Sequence, residues 1–184
     1  MKRNLMFGFT ILILIILASL LFYLKNIAER DVYFYKTARF CSEITQKMMK
    51  TPNSYNKLKS SVMYKKNSED KLREQVLGNE YLENEFKNRT LSSYQLISFV
   101  KYQAKNEYNA SKTNTATCYF DAFFIENEGF LHPDFEKMII SNNVYRNTDI
   151  SINDSLSVLK IGDISLFDKL DYLINKNSFR YYEN

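Results

Sequence analysis

Twenty consecutive residues without a charge, Leu5 to Leu24, lie directly behind Lys2 and Arg3. As a helix rising about 1.5 Å per residue they cover roughly 30 Å, the thickness of a bilayer's hydrocarbon core. The run therefore predicts one membrane span, residues 5–24, and makes everything after it a domain held at a membrane surface. Positive charge precedes the run, whereas its far side mixes Lys25 and Arg30 with Glu29 and Asp31. The positive-inside bias then leaves residues 1–4 as a cytoplasmic tail and residues 25–184 outside. A cleaved secretory signal is the rival reading, but it needs an apolar core of roughly 7 to 15 residues and a small-x-small site. This run is longer, and the residues two before Ala18 and Ala28 are Ile16 and Asn26, neither of them small.

Charge excludes one class of partner. The chain carries 25 basic and 21 acidic residues, but Lys2, Arg3 and Lys25 belong to the anchor, so the outer part holds 22 against 21. A nearly neutral domain lacks the electrostatic footprint expected of a nucleic-acid binder. About 160 residues remain, enough for one modest core.

The helix is expected to continue past the span. No glycine or proline occurs from Ile27 through Met49, and Phe34, Ala38, Cys41, Thr45 and Met48 recur at spacings of three and four. Helix to about Lys50 follows, ended by Thr51-Pro52. Tyr55 to Tyr64 alternates weakly, and Ser68, Glu69 and Asp70 suggest the cap of a short helix through Leu77 and Gly78. Tyr94 to Ala104 alternates clearly, and Thr115 to Ile125 alternates again after a polar segment, which predicts a β-hairpin. One of its faces should pack on the preceding helix and the other on the last segment. Pro133 to Ser141 reads as a helix opening on proline, and Ser165 to Asn175 as an amphipathic helix with Leu166, Phe167, Leu170, Leu173 and Ile174 on its stripe. The fold class expected is α+β: a long N-terminal anchoring helix packed on a small antiparallel sheet or hairpin over residues 25–125, then a C-terminal helical extension over 126–184.

Cys41 on the helix face and Cys118 in the second hairpin strand both fall where helix and sheet should cross. In an oxidising compartment they would pair; two buried free thiols are the alternative. Two cysteines and one histidine cannot close a tetrahedral zinc site, and no C-x-x-C spacing tunes a thiolate.

At these residues a resemblance emerges. Cys41-Ser-Glu-Ile-Thr-Gln-Lys-Met-Met-Lys-Thr-Pro52-Asn-Ser54-Tyr55 resembles the opening of a family of small bacterial domains of unknown function. In that family a cysteine-bearing helix ends in a Pro-x-Ser/Thr turn, and an Ala-x-Asn-x-aromatic-Gly-Ala hairpin precedes a second cysteine. Here the hairpin element is Ala104-Lys-Asn106-Glu-Tyr-Asn109-Ala110, with Asn109 replacing the family's glycine; asparagine also tolerates a left-handed turn. The resemblance spans residues 41–125 and implies a helix on an antiparallel sheet, Cys41 joined to Cys118, and a secreted or membrane-anchored setting. It carries no function. A bacterial inner membrane with residues 25–184 in the periplasm is the location that anchor and resemblance imply together.

Gly8-Phe9-Thr10 ahead of the apolar run is similar to the processing site of type IV pilins and pseudopilins, but Ile13 stands where those proteins have glutamate. A pilin-like subunit cleaved between Gly8 and Phe9 is thus the first alternative. Catalytic patterns are thin: His132 lacks a nucleophile partner, Glu80, Glu83 and Glu85 sit among Lys87 and Arg89 as a solvated face, and the four glycines stand apart. Phe22, Tyr23, Tyr33, Phe34 and Tyr35 suit an interfacial belt or a helix against headgroups, and Phe179, Tyr181 and Tyr182 a dock on the core or a partner. The function expected is non-enzymatic binding or scaffolding of another envelope protein, without cofactor, metal or small-molecule ligand; an envelope enzyme with an unrecognised site is the remaining alternative.

Overall fold

The computed structural model describes residues 2–49, 52–105, 108–131, 133–150 and 164–183; for residues 2–11 and 147 it describes the backbone alone. The chain is α+β. Helix α1 (Lys2–Lys25) is followed by α2 (Glu29–Lys47), strand β1 (Asn56–Lys66), helices α3 (Glu69–Val76) and α4 (Glu80–Lys87), and the long strands β2 (Leu91–Lys105) and β3 (Ser111–Ile125). Strands β4 (Gly129–Phe130), β5 (Asp134–Ile140) and β6 (Asn143–Arg146), helix α5 (Leu166–Asn175) and strand β7 (Phe179–Glu183) complete it.

The expected continuous helix is broken. Its two halves meet at 82° across Asn26–Ala28. No proline or glycine makes this break. Ala28 is extended at φ −61° and ψ 126°, and the Asn26 side chain donates to the Phe22 carbonyl at 2.9 Å, terminating the first helix. Charge completes the punctuation: Lys25 closes α1, while Glu29 and Asp31 lie in the first turn of α2, each sign suited to the helix dipole at its own end. Among the described residues no single helix is long and apolar enough to cross a membrane; Leu12–Lys25 and Glu29–Lys47 qualify only as this bent pair, by length and composition.

The sheet is larger than the expected hairpin, seven-stranded in the order β6-β5-β3-β2-β1-β7 with β4 alongside β3. The central β2–β3 hairpin pairs without interruption from Leu91↔Ile125 to Lys105↔Ser111, and Asn109 takes the left-handed turn at φ 61°. All pairings are antiparallel except that of β7, which runs parallel to β1 with Val62 opposite Tyr181. Helix α2 lies across one face. Phe34, Phe40, Cys41 and Ile44 pack there with Leu96, Val100, Ala116, Cys118, Phe120, Phe135, Met138 and Phe179, all buried. Two buried polar residues of the helix are satisfied within it, Thr37 donating to the Tyr33 carbonyl and Thr45 to that of Cys41. On the opposite face α3 and α4 form a second, smaller core of Leu72, Val76 and Leu82 with Leu91, Phe123 and Ile125. It is these helices, and not the last segment, that cover this end of the sheet.

The segment Pro133 to Ser141, expected to be helical, is strand β5. A bulge explains the misreading. Phe120 pairs with Phe135 but Tyr119 with Lys137, so Glu136 is an extra residue in the ladder, and Phe135 and Met138 both reach the core at a helix-like spacing of three. Ser141 and Asn142 then turn the chain with φ 49° and 70°, the left-handed pair of a two-residue hairpin that returns as β6. Among the described residues after 125, four strands therefore join the sheet and α5 is the one long helix.

Candidate functional site

Cys41 and Cys118 are joined by a disulfide across 77 residues, with Cα atoms 5.9 Å apart. Both are fully buried, α2 supplying one sulfur and β3 the other. The bond is a structural staple between the helix and the sheet. Of the hairpin asparagines, Asn109 forms the left-handed turn, while Asn106 lies outside the described residues, as does His132. Gly8 and Phe9 have helical backbone within α1. Glu83 and Glu85 serve local structure, accepting from the Gly78 backbone N–H at 3.0 Å and the Thr90 hydroxyl at 2.6 Å. Among the described residues no group of three or more His, Cys, Asp or Glu is placed to hold a metal ion. An open groove of about 750 Å³ lies beside α3 and α4, between Lys66, Asn67, Leu72, Phe86, Lys87 and Arg89.

The aromatic run Tyr33-Phe34-Tyr35 does not form a surface belt. These residues are buried in the main core, where Tyr33 stacks on Phe130 with ring centroids 4.6 Å apart and donates to the Leu131 carbonyl at 2.9 Å. Burial pushes the hydroxyls of Tyr33 and Tyr35 well above the ordinary tyrosine value, with Asp134 reinforcing the first and Asp171 the second. Phe22 and Tyr23 do remain exposed, at 72% and 53%. Tyr181 docks on the domain: its hydroxyl donates to Asp31 at 2.7 Å, its ring lies 5.4 Å from Phe34, and the Arg30 guanidinium sits over it at 5.5 Å.

The surface that stands out is formed by α1 and α5 together. From Leu12 through Tyr23 every residue of α1 is exposed. Successive residues step by about 100°, so these apolar side chains point outward on all sides rather than along one stripe. Among the described side chains of α1 only Leu24, at the outer end, is buried.

Helix α5 is inverted relative to an ordinary surface helix. Its apolar stripe faces away from the domain, with Phe167 83% and Ile174 72% exposed, Leu166 exposed and Leu170 and Leu173 half-buried. Its one buried residue is a lysine, Lys169. The polar side meets α2 instead. Lys36, itself 7% exposed, donates to Asp168 at 3.2 Å; Arg39 and the Tyr35 hydroxyl both donate to Asp171 at 3.1 Å; and Lys169 reaches Glu29 at 4.0 Å. Ser165 and Asp168 form a capping box that starts the helix. Burial raises the Asp168 carboxyl, but the Ser165 hydroxyl and backbone N–H and the Lys36 ammonium outweigh it and hold the group below the usual aspartate value.

The two apolar elements adjoin. Tyr23, Asn26 and Ile27, at the end of α1 and in the break, line a recess of about 320 Å³ with Tyr172, Leu173 and Lys176 from α5 and the turn after it. Leu173 belongs to the outward stripe, so the stripe opens toward the side from which α1 departs.

Sequence reasoning found the stripe and its helix but not the residues that turn it outward. Lys36, Asp168, Lys169 and Asp171 passed unremarked. A signal existed in Lys36, which directly follows the apolar run Val32–Tyr35 and would need a partner if buried with it. Compared with family models, with curated proteins and with solved structures, the chain matches none.

Proposed function

We propose that the protein is a single-pass membrane protein of a bacterial envelope, with its N-terminus in the cytoplasm and residues 25–184 in the periplasm, whose disulfide-stapled outer domain binds or scaffolds another envelope protein and performs no catalysis. The observation that carries the reading is α1, whose side chains from Leu12 through Tyr23 are exposed around the whole circumference. Soluble monomers seldom expose a contiguous apolar surface beyond a few hundred Å². A bilayer satisfies such a helix without a protein partner, and the length comes from the sequence, where the twenty uncharged residues Leu5 to Leu24 would cover about 30 Å as a helix. The disulfide supports an oxidising compartment for the domain. The 82° bend weighs against the pilin-like alternative, because it interrupts the long N-terminal helix on which that likeness draws.

The test is the intact mass and N-terminal sequence of the protein recovered from carbonate-washed membranes. A chain beginning at Met1 with no free thiol before reduction is the expected result. A start at Phe9 overturns it in favour of the pilin-like subunit, and a start near Glu29 in favour of a secreted domain.

A further inference from the structure

We propose that the apolar face of α5 is seated in the outer boundary of the bilayer that α1 crosses, so that the domain lies against the membrane along this helix instead of swinging from a single span. The inference rests on reading α1 as a membrane anchor and names a second, independent contact with lipid.

Four observations converge on it. First, the stripe formed by Leu166, Phe167, Leu170, Leu173 and Ile174 faces outward in a chain whose other long amphipathic helix, α2, is packed away. Second, the stripe cannot be turned inward, because the opposite side of α5 is clamped to α2 through Asp168, Lys169 and Asp171. Third, α5 lies beside the outer end of α1, where Leu173 and Tyr172 share a recess with Tyr23 and Ile27. The sharp bend turns α2, to which α5 is clamped, away from the course of α1. Fourth, Lys25 and Lys176 stand exposed at this junction, at the level where an interfacial helix places cations among headgroups. Any occupant of the stripe must leave room for α1 alongside. A bilayer already surrounding α1 meets both surfaces without rearrangement, which favours lipid over a second copy of the chain.

The protein contains no tryptophan, so a single introduced one reports alone. Phe167→Trp and, as a second probe, Ile174→Trp alter exposed side chains and leave the core intact; Leu14→Trp reports on α1. Each full-length variant is reconstituted into phosphatidylethanolamine/phosphatidylglycerol vesicles, with and without lipids brominated on the acyl chain. The expected result is a blue-shifted emission at 167 and 174, quenched at least about twofold by bromine close below the headgroups, matching the roughly 5–10 Å at which interfacial helices bury their apolar face. Tryptophan at position 14 should be quenched best by bromine near the bilayer centre. Quenching at 14 with unquenched, water-like emission at 167 and 174 overturns the seat and leaves the anchor standing. Blue-shifted emission that resists bromine and strengthens with the protein-to-lipid ratio overturns it in favour of a second copy. Absence of quenching at 14 overturns the anchor, and the shared bilayer with it.

Discussion

Helices α2 and α5 pack against each other and follow opposite rules. Twelve residues of α2 are buried, most of them apolar or aromatic, and the helix is fastened to the sheet by a disulfide. α5 buries one residue, a lysine, and is fastened by ion pairs while its apolar stripe faces out. Amphipathicity alone therefore does not decide burial. What decides is the chemistry of the partner surface: the sheet offers α2 an apolar floor, whereas the outer side of α2 offers α5 Lys36, Arg39 and the Tyr35 hydroxyl. Burial of α2 is then a source of fold stability, and that of α5 a matter of orientation.

Breaking the α2 side should have the largest effects. Replacing both cysteines, Cys41→Ala with Cys118→Ala, removes a link closing a 77-residue separation, which in the chain-entropy account contributes up to about 4.5 kcal/mol; a urea titration of the full chain in detergent micelles reads the loss. Phe40→Ala, which empties a fully buried site between Phe120 and Phe135, should cost about 3 kcal/mol in the same titration.

Breaking the α5 clamp should cost less and act locally. Lys36→Ala removes a charged hydrogen bond of a kind contributing about 2 kcal/mol, and should speed protease cleavage within α5 while near-ultraviolet circular dichroism of the core is retained. Acid should do the same in the wild type. Because the folded Asp168 carboxyl is held below its ordinary value, its contribution is present above the ordinary aspartate range and is lost as pH falls through that lowered value. Protease sensitivity of α5 should therefore rise only on strong acidification, and Lys36→Ala should move its onset to higher pH. The smallest effect sharpens the contrast: Phe167→Ser, on the outward stripe, should shift stability in lipid-free micelles by less than about 0.5 kcal/mol, whereas a core aromatic cannot be treated so.

What could be read from the chain divides along the same line. The hairpin, the Ser68 cap and the cysteine pair were legible because each depends on near neighbours or on two residues placed in obvious elements. β5 was not, since the bulge at Glu136 turned a period of two into a spacing of three, although Ser141-Asn142 carried a hairpin signal. The break after Lys25 was written in charges at helix ends rather than in glycine or proline, and so escaped a search for breakers. Tyr33, Phe34 and Tyr35 suit a belt or a helix against headgroups on local sequence alone, because burial against a sheet assembled from distant strands leaves no local trace. The outward turn of α5 escaped for the same reason, its polar partners lying more than a hundred residues earlier in the chain.

The parallel pairing of β7 with β1 carries a consequence for biosynthesis. β1 is made early, yet the strand that covers its free edge belongs to residues 179–183, and Phe179 and Tyr181 complete the aromatic cluster over Phe34 and Tyr35 only then. Until those residues emerge, a nascent chain presents Asn56–Lys66 as an uncapped template for pairing with a neighbouring copy. Maturation of the sheet is thus a late event, and the time between making β1 and making β7 is the interval in which this protein is most exposed to misassembly.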